Sequence, residues 1–240
     1  MRIFIPGGTG FIGKHVARAA ETAGNDVQVH GFSAGGELRS LPGGIDAVIN
    51  CAGRLAVSGV SQEQLHAANV ELPAFLAREC RKRDLPLVHL STPGVCGLKP
   101  EGRESDPYHP EGGYEKTKAQ GEKVLLETIP EVSILRPDFV FGDEHMHKFP
   151  LFRQVSRGWF PLVGSGEALT RPTDAEDVAQ AALKALPDGP LSRGIHNIGG
   201  PDVITMAELV RTIARAMGKK VTCMKIPRFV FTSSLALGPL

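Results

Sequence analysis

Short apolar runs alternate with amphipathic stretches along nearly the whole chain. "RIFI" at 2–5 predicts a strand, followed by a glycine turn and a helix over about 11–23. "DVQVH" at 26–30, "DAVIN" at 46–50, "LPLVHLS" at 85–91, "VSILRP" from 132 and "GIHNI" at 194–198 predict further strands. Between them the apolar spacing predicts helices over about 62–83, from Tyr114 to about 128, over 174–186 and over 205–217. Apolar strands separated by amphipathic helices imply a parallel sheet covered on both faces, an α/β fold. Proline and glycine cluster at 92–113 and 158–166, which marks longer loops. In such sheets the loops beyond the strand carboxyl ends build the binding crevice. No internal repeat, low-complexity segment or long linker interrupts the pattern.

Composition narrows the classes. The chain has 240 residues and is 42% hydrophobic, enough for one large domain or a domain with a small cap. A net charge of +1 gives no reason to expect nucleic acid or an anionic membrane as partner. No apolar run approaches the roughly 20 residues that a membrane helix needs. "MRIFIPGG" starts a strand at once, leaving no room for a secretory signal. Cys51, Cys80, Cys96 and Cys223 form no CxxC pair, so reduced thiols and a cytoplasmic location are expected.

Two stretches carry chemistry. In "IPGGTGFIGKHV", Gly7, Gly10 and Gly13 stand three apart between a predicted strand and helix. Glycine lets the backbone turn sharply and approach a pyrophosphate, and the helix start offers N–H groups and a positive dipole end. Pro6 just before it lacks an N–H. NAD sites carry an acid after the second strand, whereas "VHGFSAGG" places Gly31, Phe32 and Ser33 there. Both NAD and NADP stay open, with a lean to NADP. Arg39 and Lys14 are the nearest cations for a 2′-phosphate. In "GGYEKTKAQGEKVLL", Tyr114 precedes Lys118 by about one helical turn, so both lie on one face. "INCAG" puts Ala52 and Gly53 at a strand end where a flat ribose or adenosine passes, and "STPGVCG" puts Ser91 and Thr92 at another.

Taken together, "GGTGFIG", "STPGVCG", "YEKTK", "LRPDFVFG" and "HNIGG" resemble the extended short-chain dehydrogenase/reductase family, also called the NAD-dependent epimerase/dehydratase family. The resemblance covers nearly the whole chain. It implies a doubly wound parallel sheet, a Rossmann fold, spanning 1–240. The substrate cap is expected to be small and shortened, with segments at about 143–172 and 200–240. It implies NAD(P) held by Gly7, Gly10, Phe11, Ile12, Gly13, Cys51, Ala52, Gly53, Lys118 and Pro137. Tyr114 is then the acid/base, Lys118 favours its phenolate and holds the nicotinamide ribose, and Thr92, or else Ser91, binds the substrate oxygen. Asn69 reads as a helix-fixing residue beside Pro73. The resemblance also implies a homodimer through the 62–83 and 111–128 helices. It points to a small-molecule substrate, a nucleotide sugar in preference to a hydroxysteroid or flavonoid alcohol. A non-catalytic nucleotide-binding module is the competing class.

Three departures from the pattern, and a few further residues, set additional expectations. Only fourteen positions separate Gly31 from Ile45, too few for a helical crossover plus a strand, so an edge strand on the adenosine side is expected to be missing. Cys96 stands where a tyrosine is common. The arginine that grips a diphosphate in nucleotide-sugar enzymes would fall at Thr170, one residue before Arg171, and a one-residue shift in a strand turns a side chain to the other face. Trp159 and Phe160 are expected mainly to close a small cap core, and Arg153 and Arg157 to be solvated. His145 and His147 are expected to lie in a polar loop, and no metal is expected.

Overall fold

The computed structural model describes residues 1–32, 38–97, 101–143 and 150–227. Contacts within the chain separate two compact units, residues 1–138 with 174–198, and residues 139–173 with 199–240.

The first unit is built on β1 (Arg2–Pro6), α1 (Phe11–Thr22), β2 (Asp26–His30) and β3 (Ala47–Asn50). α2 (Gln62–His66), α3 (Leu72–Arg83), β4 (Leu87–Leu90), α4 (Gly113–Thr128) and β5 (Ser133–Pro137) follow. After the first part of the second unit, α6 (Ala175–Lys184) and β10 (Gly194–Ile198) return to the first. Six strands form one sheet in the order β2-β1-β3-β4-β5-β10, and every paired neighbour is parallel. The inner strands β3, β4 and β5 are buried at every residue, which is why they read as unbroken apolar runs. The chain runs outward from β1 to β2 and then back across β1 to β3. That reversal makes the β1/β3 carboxyl ends the topological switch point.

Among the described residues, no helix or strand lies between His30 and Ala47, so β2 is the sheet edge on that side. Leu41 and Ile45 of this connection pack into the core with Leu76 and Cys80 of α3. Arg83 donates to the carbonyls of Leu41 and Pro42 at 3.2 and 3.0 Å, fixing the connection to the last turn of α3.

The predicted 62–83 helix is continuous but widens to a π turn at Ala67–Glu71. Pro73 lacks the N–H that would bond the carbonyl of Asn69, so that carbonyl is released. It faces Gly121 of α4, where a Cβ would collide with it. The glycine therefore lets α4 approach closely, and Asn69 donates to Thr117 at 3.0 Å across the gap.

A buried ion pair fixes α4 to β5. Arg136 and Glu122, 1% and 0% exposed, form a two-pronged contact at 3.0 and 2.6 Å. The Tyr108 hydroxyl donates to Glu122 at 2.9 Å, and Arg136 also reaches Cys96 Sγ at 3.3 Å and the Glu104 carbonyl at 3.4 Å. Burial pushes the Tyr108 phenol up, and the Glu122 carboxylate adds to the shift. One pair thus ties down β5, α4 and the loop segments at 96 and 104–108.

The second unit contains β6 (Val140–Phe141), α5 (Pro150–Ser156), β7 (Trp159–Val163), β8 (Leu169–Thr170), β9 (Thr173–Asp174, shared with the boundary), β11 (Ile204–Thr205), α7 (Met206–Ala216) and β12 (Thr222–Ile226). β7 pairs with β12 in parallel, and β8 with β11 antiparallel. Phe152, Val155, Leu162, Leu209, Val210 and Ile213 form its core. Phe160 packs on that core while Trp159 remains 42% exposed, so only one of the two aromatics closes it.

Glu122→Leu leaves the Arg136 charge unpaired in the core and is expected to lower stability by about 3–5 kcal/mol, measured by urea unfolding. Replacing both partners, as Glu122→Leu with Arg136→Met, is expected to recover most of the loss.

Candidate active site

The turn after β1 is fixed by backbone geometry. Gly7 has φ +78°, and a Cβ on it would strike the backbone of Cys51 and Ala52. A Cβ on Gly13 would meet the Gly7 carbonyl oxygen. Glycine at both positions lets the turn fold against the end of β3 and against α1. No side chain caps the start of α1 at Gly10, and no acid lies in its first turn. Such a helix start suits an anion.

A cavity of about 950 Å³ opens at this switch point. Its lining includes Gly7, Thr9, Gly10, Cys51, Ala52 and Gly53, together with Phe32, Leu38, Phe75 and the cations Arg39, Arg54 and Arg78. Phe11 and Ile12 are half-buried at the head of α1 and Gly13 is buried. Pro137 is buried at the end of β5, outside this cavity lining. Arg78 is a residue that motif reading missed, because it belongs to the amphipathic pattern of α3. Lys14 is exposed and does not line the cavity. Among the described residues, no group of three or more His, Cys, Asp or Glu is placed to hold a metal ion. His145 and His147 lie outside the described residues. None of the four cysteines forms a disulfide. Burial pushes the Cys51 and Cys80 thiols up to about 12.

Tyr114 stands in the first turn of α4, and Glu115 beside it packs against Gly94 of the Pro93–Cys96 turn that follows Thr92. Thr92 caps that turn, accepting from the Gly94 N–H at 3.4 Å, so its hydroxyl proton remains for another acceptor. Ser91 is 6% exposed, and its hydroxyl oxygen has no hydrogen-bond partner. An unpaired buried hydroxyl is costly.

Lys118 is where the expectation changes. Its side chain is 2% exposed, and its Nζ donates to the Leu90 carbonyl at 2.6 Å and lies 3.2 Å from His89 Nε2. Among the described residues, no hydrogen bond joins it to Tyr114. Burial lowers the Lys118 amine to about 8, against the opposing pull of Glu122 and Cys51. Burial raises the Tyr114 phenol to about 12, and Glu115 adds to the rise. The expected Lys118-favoured phenolate is therefore corrected. In this state the phenol keeps its proton, because loss of water opposes charge on both groups.

Arg171 and Thr170 differ in exposure, as the one-residue shift predicts. Thr170 is buried, whereas Arg171 is exposed, lies against Gly199 and reaches the Gly200 carbonyl at 3.4 Å.

A doubly wound sheet, a glycine turn at its switch point and a Tyr-x-x-x-Lys helix over β4 define a nucleotide-binding Rossmann protein of the extended short-chain dehydrogenase/reductase type. Within that class, the chain belongs to the family described as RmlD substrate binding domain, whose model matches residues 1–229. It is 29% identical over 211 residues to the dTDP-4-dehydrorhamnose reductase of Mycobacterium tuberculosis, covering 81% of this chain and 69% of the relative. A shorter match is 33% identical over 114 residues to an Arabidopsis thaliana NADH dehydrogenase [ubiquinone] 1 alpha subcomplex subunit 9, covering 47% of this chain and 28% of the relative. The fold is similar to a dTDP-4-dehydrorhamnose reductase structure from Clostridium acetobutylicum, with TM-score 0.79 and 19% identity, covering 95% of this chain and 84% of that one. The family is thus not that of the NAD-dependent epimerase/dehydratases. Among the described residues, no helix is long and apolar enough to cross a membrane.

Gly13→Ala is expected to cost about 1–3 kcal/mol through overpacking at the Gly7 carbonyl, read as a lowered urea midpoint.

Proposed function

We propose that this chain is a NAD(P)H-dependent reductase that converts a keto group of a nucleotide-linked sugar to a hydroxyl. The curated reductase relatives carry the direction, and the Tyr114 phenol, which burial keeps protonated, is the proton donor the reading requires. A reductase needs a proton donor at the carbonyl oxygen, and a phenol that titrates at about 12 stays a donor across the neutral range. The family and its curated reductase relatives support the substrate class.

The residues fit a dinucleotide. Gly7 and Gly13 leave room for a close backbone approach, the uncapped start of α1 suits a pyrophosphate, and the cavity wall of Phe32, Leu38 and Phe75 suits a flat base. When bound, the nicotinamide supplies a hydride to the carbonyl carbon. Tyr114 gives its hydroxyl proton to the carbonyl oxygen, which leaves as the product hydroxyl. Ser91 and Thr92 offer hydroxyl protons to that same oxygen as negative charge grows on it. Lys118, once charged, holds the nicotinamide ribose hydroxyls.

NADPH is the proposed preference. Phe32, not an acid, follows β2 and lines the cavity, and Arg39 and Arg78 stand in the same lining. Arg54 and Glu71 are also in that lining, so the balance of charge there favours an anion by two. Hydrogen bonds to charged groups are worth about 1.5–3 kcal/mol. Arg78→Ala is therefore expected to weaken NADPH about tenfold more than NADH in equilibrium titrations; equal weakening of both would remove Arg78 from the preference. A homodimer through the α2–α3 and α4 helices belongs to the same reading, and a sedimentation mass of one chain at micromolar concentration would reject it.

Tyr114→Phe is expected to lower turnover of a dTDP-linked 4-keto sugar by about 10²–10⁴-fold, with nucleotide affinity unchanged. If the wild type turns over hydrophobic alcohols and no nucleotide sugar, the hydroxysteroid or flavonoid reading takes over. If no substrate is turned over and the variant equals the wild type, the chain is a non-catalytic nucleotide-binding module.

A further inference from the structure

The surroundings of Lys118 contain a proton count that the reductase reading does not use. The Ala52 N–H donates to Asn50 Oδ1 at 3.0 Å, which fixes the orientation of the Asn50 amide. Its Nδ2 therefore faces His89 Nδ1, at 3.0 Å, and donates to it. With Nδ1 as acceptor, a neutral His89 carries its proton on Nε2. His89 is fully buried, and burial, then Lys118, hold it well below the usual imidazole range, so it is neutral. Its Nε2–H points at Lys118 Nζ, 3.2 Å away. An ammonium there would set donor against donor. A neutral amine instead accepts from Nε2–H with its lone pair and gives its own N–H to the Leu90 carbonyl, 2.6 Å away.

The geometry points to Asn50 and His89 as a holding site for the uncharged form of Lys118, filled in mildly alkaline solution, from which nucleotide binding recruits the lysine by protonating it. His89 is then a positioning residue that acts through Lys118, a role resting on the nucleotide-binding reading above. The groups around the amine agree with this. Glu122, one turn on along α4, favours the charged amine, but its carboxylate is committed to Arg136 and Tyr108. Cys51, after β3, is kept a neutral thiol by burial. Tyr114, one turn back along α4, is kept a neutral phenol. Asn69, the side chain nearest Gly53 on the other side, carries no charge. Ribose hydroxyls offer acceptors that the His89 Nε2–H does not, so the ammonium is stabilised only once the nucleotide is present. The proton comes from solvent.

The test is calorimetry of NADH and of NADPH binding in buffers of unlike ionisation enthalpy. With the amine at about 8, binding near pH 8.5 is expected to take up about three-quarters of a proton, and close to none near pH 6.5. Affinity should fall as pH rises through that range, because the charged form is the low-pH form. Lys118→Met should abolish the uptake, and His89→Leu should reduce it by at least about half, since the opposing donor is gone. Binding without proton uptake at about pH 8.5, or uptake unchanged in His89→Leu, overturns the holding site. Nitrogen-15 spectra of the free wild-type chain give a second readout that needs no variant to fold. They should show His89 as the Nε2–H tautomer; an Nδ1–H tautomer or an imidazolium overturns the proposal. Failure of both nucleotides to bind sinks the nucleotide reading instead, and the tautomer still decides the holding site.

Discussion

Three polar side chains of α4, Thr117, Lys118 and Glu122, enter the interior, and each is met by a different element. Thr117 is met by Asn69 from the π turn, Lys118 by His89 and Leu90 of β4, and Glu122 by Arg136 of β5 and Tyr108. An unpaired buried charge costs several kcal/mol, so these partners leave α4 few alternative positions. Tyr114 and Lys118 ride on that helix. The catalytic face is therefore placed by a layer of polar contacts beneath it, and the close approach at Gly121 makes the first of those contacts possible.

At the switch point the constraint is steric instead of electrostatic. Gly7 lies against the Cys51–Ala52 backbone and Gly13 against the Gly7 carbonyl, so the turn, β3 and α1 share one space. The same crowding leaves the start of α1 without a side-chain cap, facing the cavity. The short connection after β2 also bears on that cavity. Without a crossover helix, Leu41 and Ile45 fill the core directly, and Leu38 and Arg39 of the same connection reach the cavity wall.

The two protonation shifts act in one direction. Burial opposes charge on Tyr114 and on Lys118 alike, which keeps the phenol protonated and lets the amine lose its charge from about pH 8 upward. In the proposed reduction, the proton to be delivered is then already on the donor. The ammonium is needed only when a ribose is there to receive it, and His89 supplies a partner for the amine until then.

Much of this was legible along the chain. The strands and helices of the first unit follow their apolar spacing to within a few residues, and the glycine triplet and the Tyr114–Lys118 pair are local patterns that local backbone geometry explains. That no strand stands after β2 among the described residues agrees with the count of residues there. The short strands of the second unit were not legible, because two-residue pairings such as Leu169–Thr170 with Ile204–Thr205 have no periodicity of their own. The π turn was not legible either, although Pro73 supplies its cause. What the sequence by itself determined was the sheet, its switch point and the residue types at the site, because turns and amphipathic faces depend on near neighbours. What only the tertiary structure decided was which protons those residues hold. Asn50, His89 and Lys118 lie far apart along the chain, and the burial that sets their charge exists only once the sheet and α4 have closed around them.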